Sequence, residues 1–378
     1  MSKCLLCPAE ITAANDSAEH LIPNAIGGRR KVSGLLCKTC NSETGRSWDA
    51  ALGDQLLPLT LLFDVSRQRK SAERSLAVTT TAGERITIGP GGKLTLSAPA
   101  IDRTPVGESQ TSYRLVARTM EEARQMVQGL KRKHPEIDVE AALKQAQAVE
   151  TYLQGTVCHD LGFGGELAGR SVVKSCLAMA FSSGIPIASC EAGVKYLLDA
   201  DAEPCFGFHQ RRELVTGRVA GTPFHCLAVR ANPQSGLVLA YAEYFGCRRV
   251  VACLGERYDG PSIEMAYAID PRDGREIPLS VDLPFDPSEV RQIYDYEHAC
   301  PEFEEQAIGS VIAPVIDQSR EAEYERVRRN AWIGALEACG AKAGDELTDA
   351  LRLRLSREIA ERITPFLLNQ ISPTQRNN

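Results

Sequence analysis

Residues 4–49 read CLLCPAEITAANDSAEHLIPNAIGGRRKVSGLLCKTCNSETGRSWD, and this stretch decides how the rest of the chain is read. It holds two Cys-x-x-Cys pairs, Cys4/Cys7 and Cys37/Cys40, with 29 residues between them. Each pair forms a tight knuckle that supplies two thiolates. Four thiolates satisfy tetrahedral Zn²⁺, so the spacing predicts a structural zinc site. Zinc saturated by four sulfurs has no open position for chemistry. Any reaction must therefore use a second centre, and Glu19, His20 and Asn41 lie between and beside the knuckles.

Glu19-His20-x-x-Pro23, the Gly27-Gly28-Arg29 turn and Leu35-Leu36-Cys37-x-x-Cys40-Asn41, followed by Gly45 and Asp49, resemble the zinc-bearing branch of the HNH endonuclease family. The resemblance covers roughly the first 55 residues. It implies a ββα-metal unit, in which two strands carry the acid–His motif and a helix supplies the last ligand. His20 would then activate water, while Glu19 and Asn41 would hold Mg²⁺ or Mn²⁺. The chemistry agrees: a neutral imidazole is available as a base near neutral pH, and carboxylate and amide oxygens suit hard divalent ions. Adjacent strand residues point to opposite faces, so Glu19 and His20 can share a site only where the strand ends or bends.

Two departures from the family pattern stand out. Glu19 replaces the commoner Asp, and the family's middle Asn would fall near Ser33-Gly34, leaving Asn24 to brace the loop. The alternative reading is a non-catalytic zinc-dependent DNA-binding or regulatory module. In that case Glu19-His20 would be a surface pair and Asn41 a helix N-cap.

The chain has 378 residues, 43% of them hydrophobic and 24% charged, which is ordinary for a globular protein with two or three cores. No apolar run suits a transmembrane helix, and the first residues do not read as an export signal. Thirteen cysteines without such a signal suit reduced thiols, so a cytoplasmic location is expected. The net charge of −6 argues against blanket nucleic-acid binding but leaves room for a local site. Through residue 74 there are ten Lys/Arg against eight Asp/Glu, a local excess of two positive charges. Arg29, Arg30, Lys31, Lys38 and Arg46 are the candidate DNA contacts, with Arg67, Arg69, Lys70 and Arg74 as a second basic cluster.

Fold class reads as α+β: an N-terminal ββα-metal zinc unit, a mixed α+β region with an antiparallel sheet, and a helical C-terminal tail. The expected division is 1–60 for the nuclease domain, 61–155 for a β-meander with helices, and 156–378 for recognition, regulation or oligomerisation. Strands are expected at 76–81, 85–88, 93–96 and 113–117, with 97–111 a polar loop. Helices are expected at 41–52, 121–133, 140–149, 167–180 and 192–198; in 167–180, Lys174 falls opposite the apolar side. Four strands follow between 224 and 268, then helices at 288–297, 320–338 and 346–368, and disorder from about Ser372.

Other chemistry-bearing residues read as structural. Cys158-His159-Asp160 reads as a buried thiol beside a turn and His209 as part of a solvated loop. His134, His225 and His298 show no sequence partner. The expected function is metal-dependent DNA cleavage, and the layout resembles restriction and anti-phage effectors. The remaining residues would select the target, bind a small-molecule activator or build a homo-oligomer.

Overall fold

The computed structural model describes residues 3–68, 74–106, 110–147, 152–153, 155–219, 221–342 and 344–371. Arg69, Lys70, the end of the 140–149 helix and the tail from Ser372 lie outside the described residues. The chain forms two compact units. One comprises residues 1–74, 90–92 and 160–316; the other comprises 75–89, 93–159 and 317–378.

The first unit opens with the antiparallel pair β1 (Asp16–His20) and β2 (Lys31–Cys37). These lead into helix α1 (Lys38–Gln55) and the short α2 (Leu57–Leu62). The register slips between Ser17 and Glu19, where β2 accommodates extra residues around Gly34 at φ +84°. That left-handed conformation is open to glycine at little cost. Asp16 Oδ1 accepts the Gly34 N–H at 2.8 Å, which braces β2 at its irregular point. Asn24 Oδ1 accepts the backbone N–H of Gln68. At Gly28 there is no room for a Cβ, which would run into the Ile22 carbonyl.

In the second unit, β3 (Leu76–Thr79), β4 (Arg85–Ile88) and β5 (Leu94–Leu96) form the expected meander. Part of the expected polar loop at 97–111 is instead strand β6 (Ala100–Val106), paired with β7 (Gln110–Val116). Its pattern misleads because β6 is exposed along its whole length, so no apolar face marks it. Helices α3 (Met120–Lys131) and α4 (Val139–Lys144) follow, capped at their N-termini by Thr119 and Asp138.

The first unit is centred on α5 (Glu166–Ser182), followed by α6 (Glu191–Leu198). Behind them lies a five-stranded antiparallel sheet. Its members in chain order are β8 (Phe206–Phe208), β10 (His225–Asn232), β11 (Leu237–Tyr244), β12 (Arg248–Gly255) and β13 (Ile263–Ile269). In space the order is β13-β10-β11-β12-β8. The small pair β9 (Val215–Thr216) and β14 (Ser280–Val281) and helix α7 (Pro287–Tyr294) complete this part.

One core runs from Leu21, Ile22, Leu36 and Leu52 of the N-terminal segment, through Val172, Val173 and Leu177 of α5, to Leu227, Val229 and Val238 of the sheet. A second cluster, including Cys226, Leu239, Tyr241 and Val251, covers the opposite face of the sheet. Because α5 is packed on more than one side, Lys174 is fully buried, a correction to its expected place away from the apolar side. The C-terminal helices are α8 (Pro301–Cys339) and α9 (Asp349–Ile371); Tyr324 packs on Phe366 in the second unit.

The placements of His209 and Cys158 depart from expectation. His209 is buried, and its Nδ1 lies 3.0 Å from His298 Nδ1. His134 Nε2 lies 2.8 Å from the Tyr113 hydroxyl. Cys158 is exposed, whereas Cys176, Cys190, Cys205, Cys226, Cys247 and Cys253 are buried. Among the described residues, no helix is long and apolar enough to cross a membrane.

Candidate active site

The four knuckle sulfurs converge. All Sγ atoms of Cys4, Cys7, Cys37 and Cys40 lie within 4.8 Å of one another, and Cys7 Sγ is 3.8 Å from Cys37 Sγ. Tetrahedral zinc with bonds of about 2.3 Å requires sulfurs about 3.8 Å apart, so the set fits the ion. The Cys37 backbone N–H donates to Cys4 Sγ at 3.3 Å. The Cys37 thiol is pulled down to about 7, first by the backbone N–H of Cys40 and then, against the opposing effect of burial, by the neighbouring sulfurs. Burial pushes the Cys40 thiol the other way, above the usual thiol range.

Glu19, His20 and Asn41 each have their own partner. Glu19 points from β1 towards α1 and α5 and is 97% buried, with Oε1 2.8 Å from Lys174 Nζ. Asn41 lies in the first turn of α1, where its Nδ2 donates to Ser17 Oγ at 2.5 Å. His20 ends β1, with Nε2 3.3 Å from Gln68 Oε1. A carboxamide oxygen only accepts, so this bond makes Nε2 the donor and puts the basic lone pair on Nδ1. Lys31 is the register partner of His20, and directly opposed strand residues share a face.

The lysine was missed from the sequence, and it organises the acids. Lys174 Nζ lies 2.8 Å from Glu19 Oε1, 2.8 Å from Asp49 Oδ2 and 3.4 Å from Thr44 Oγ1. Ser171, one turn earlier on α5, donates to Asp49 Oδ1 at 2.6 Å. Burial opposes the charge on Lys174, but Asp49 and then Glu19 outweigh it and hold the ammonium above the usual lysine range. Burial raises the Glu19 carboxyl; Lys174 pulls it back, and Asp49 pushes it up again. Two acids share one cation, so the ionised cluster carries an excess negative charge. The sequence signal for this arrangement was a lysine within a predominantly apolar helix.

Two oxygens suit a divalent ion. Among the described residues, neither Glu19 Oε2 nor Asn41 Oδ1 makes a hydrogen bond, and both are the hard donors that Mg²⁺ or Mn²⁺ prefers.

The basic candidates are engaged to different degrees. Arg29 donates to the Ser66 carbonyl at 3.0 Å. Arg30 is bidentate to Glu276 at 2.9 Å and stacks 4.2 Å above the Tyr267 ring. Lys38 donates to the Ala14 carbonyl and Arg46 to the Ser42 carbonyl, while Lys31 is exposed.

Residues 4–57 match the family model described as HNH endonuclease. Comparison with curated proteins gives no match, and comparison with solved structures gives none.

Proposed function

From an N-terminal HNH unit with four converging cysteines, we propose that this protein is a metal-dependent endonuclease that hydrolyses DNA phosphodiester bonds. The observation that carries the reading is the burial of Glu19 with one oxygen paired and the other without a hydrogen bond. Burying a carboxylate costs several kcal/mol. Such perturbed groups concentrate at functional sites.

A divalent ion held by Glu19 Oε2 and Asn41 Oδ1 would polarise the scissile phosphate and stabilise the leaving 3′ oxygen. The chain's own residues do the rest. His20, which lies beside Gln68 at the end of β1, accepts a proton from the attacking water. Lys31, beside His20 in the register, would meet a phosphate, as would Arg30 once its exposed pair with Glu276 exchanges.

The non-catalytic alternative has less support. It expects Asn41 as an N-cap and Glu19 at the surface, but Cys37 holds the N-cap position and Glu19 is buried. By analogy of layout, restriction or phage defence is the proposed context.

The test is plasmid nicking with Mg²⁺ or Mn²⁺, beside a chelator control and His20→Ala. Metal-dependent nicking that disappears in His20→Ala is expected. Nicking that survives the substitution would remove His20 from the mechanism.

A further inference from the structure

We propose that Lys174 is a resident cation of the nuclease centre, filling an oxygen cage that would otherwise trap the divalent ion in the wrong place. This rests on the nuclease reading and adds a positioning residue from outside the HNH segment. The Lys174 ammonium touches Glu19 Oε1, Asp49 Oδ2 and Thr44 Oγ1, and its side chain has no solvent exposure. Two carboxylates and a hydroxyl are a hard-oxygen set that Mg²⁺ and Mn²⁺ favour. A divalent ion between two acids gains more Coulomb energy than one beside a single acid, so an empty cage would outcompete the outer position. The ammonium has three N–H donors, one for each oxygen, and it occupies that space permanently.

The consequence is directional. With Oε1 of Glu19 paired to Lys174, an incoming ion is steered towards Oε2. The ammonium is monovalent, so the cluster stays negative overall and still attracts a cation to that outer side. Ser171 fixes Asp49 through its other oxygen, which keeps the second acid from swinging towards the ion.

The experiment compares the full chain with Lys174→Ala and with Lys174→Ala combined with Asp49→Asn. Mn²⁺ affinity is read by electron paramagnetic resonance, melting temperature with and without Mn²⁺, and nicking on plasmid. Lys174→Ala is expected to bind Mn²⁺ about tenfold more tightly or better, on the Coulomb argument above. It should also gain more thermal stability from Mn²⁺ than the parent, while nicking falls by about 100-fold or more, the scale of a lost positioning interaction. Adding Asp49→Asn should remove the tight binding.

A purely structural lysine would lower the melting temperature and leave Mn²⁺ affinity within about threefold, well under the 1.4 kcal/mol that a tenfold change represents; that result overturns the proposal, as does nicking that stays at the parental level. If Lys174→Ala is unfolded without metal, recovery of its helical circular dichroism in Mn²⁺ supports the cage, and no recovery sinks it. Tight Mn²⁺ binding in the variant with no nicking by the parent would keep the cage and reject the nuclease reading.

Discussion

His225 Nε2 donates to the carbonyl of Ile26 at 2.8 Å, joining the sheet to the turn of the HNH unit across 199 residues of sequence. Its other nitrogen, Nδ1, accepts the backbone N–H of Phe245 at 3.1 Å. Both bonds are satisfied only by the neutral ring in one tautomer.

Acid should therefore loosen this junction. Burial, the largest cause, drives His225 down to about 4, below the ordinary 6.5, and His209 likewise to about 4. A depressed folded value means the stabilisation is complete above 6.5 and is lost as pH falls from 6.5 towards 4. A tenfold change in a protonation equilibrium is worth about 1.4 kcal/mol, so His225 accounts for roughly 3 kcal/mol at most. Melting temperatures measured from pH 7.5 to 4 should fall across that window, and His225→Gln should flatten the fall.

Zinc should be inseparable from the front of the fold. Metal analysis is expected to find about one tightly held zinc per chain, and Cys37→Ser should lose it together with cooperative melting of the first unit. Zinc content unchanged by the substitution would exclude this ligand set.

His20→Ala is expected to cut nicking by about 100-fold to 10,000-fold, the range for a lost general base, with little change in melting temperature. Gln68→Leu, which removes the acceptor at His20 Nε2, should give a smaller loss and a shifted pH–rate profile.

Glycines of the HNH segment should respond in opposite ways. A Cβ on Gly28 meets the Ile22 backbone, so Gly28→Ala should cost ~3 kcal/mol or more. Gly45, inside α1, has open space around it, and Gly45→Ala should be neutral or stabilise by up to about 1 kcal/mol. Urea denaturation of the two variants measures both.

The sequence was most informative where chemistry dictates spacing. Cys-x-x-Cys geometry located the four sulfurs, and β-branched runs between Gly, Pro and Asn located β10 to β13. It was silent where tertiary packing decides. A helical wheel assigns one face to the core, whereas α5 is enclosed by α1 on one side and the sheet on another, so Lys174 went inside. Strand β6 was unreadable for the opposite reason, since a strand with no buried face carries no alternation. The acid partners of Lys174 come from β1 and α1, and no local pattern links residues that distant.

A nascent chain emerging from the ribosome presents Glu19 and Asp49 long before α5 has been synthesised. On the resident-cation proposal, the early fragment has an unfilled acid pair and cannot seat its ion correctly. The same dependence means that the front segment could not be transplanted onto another protein as a ready-made blade; whatever receives it must also supply the lysine.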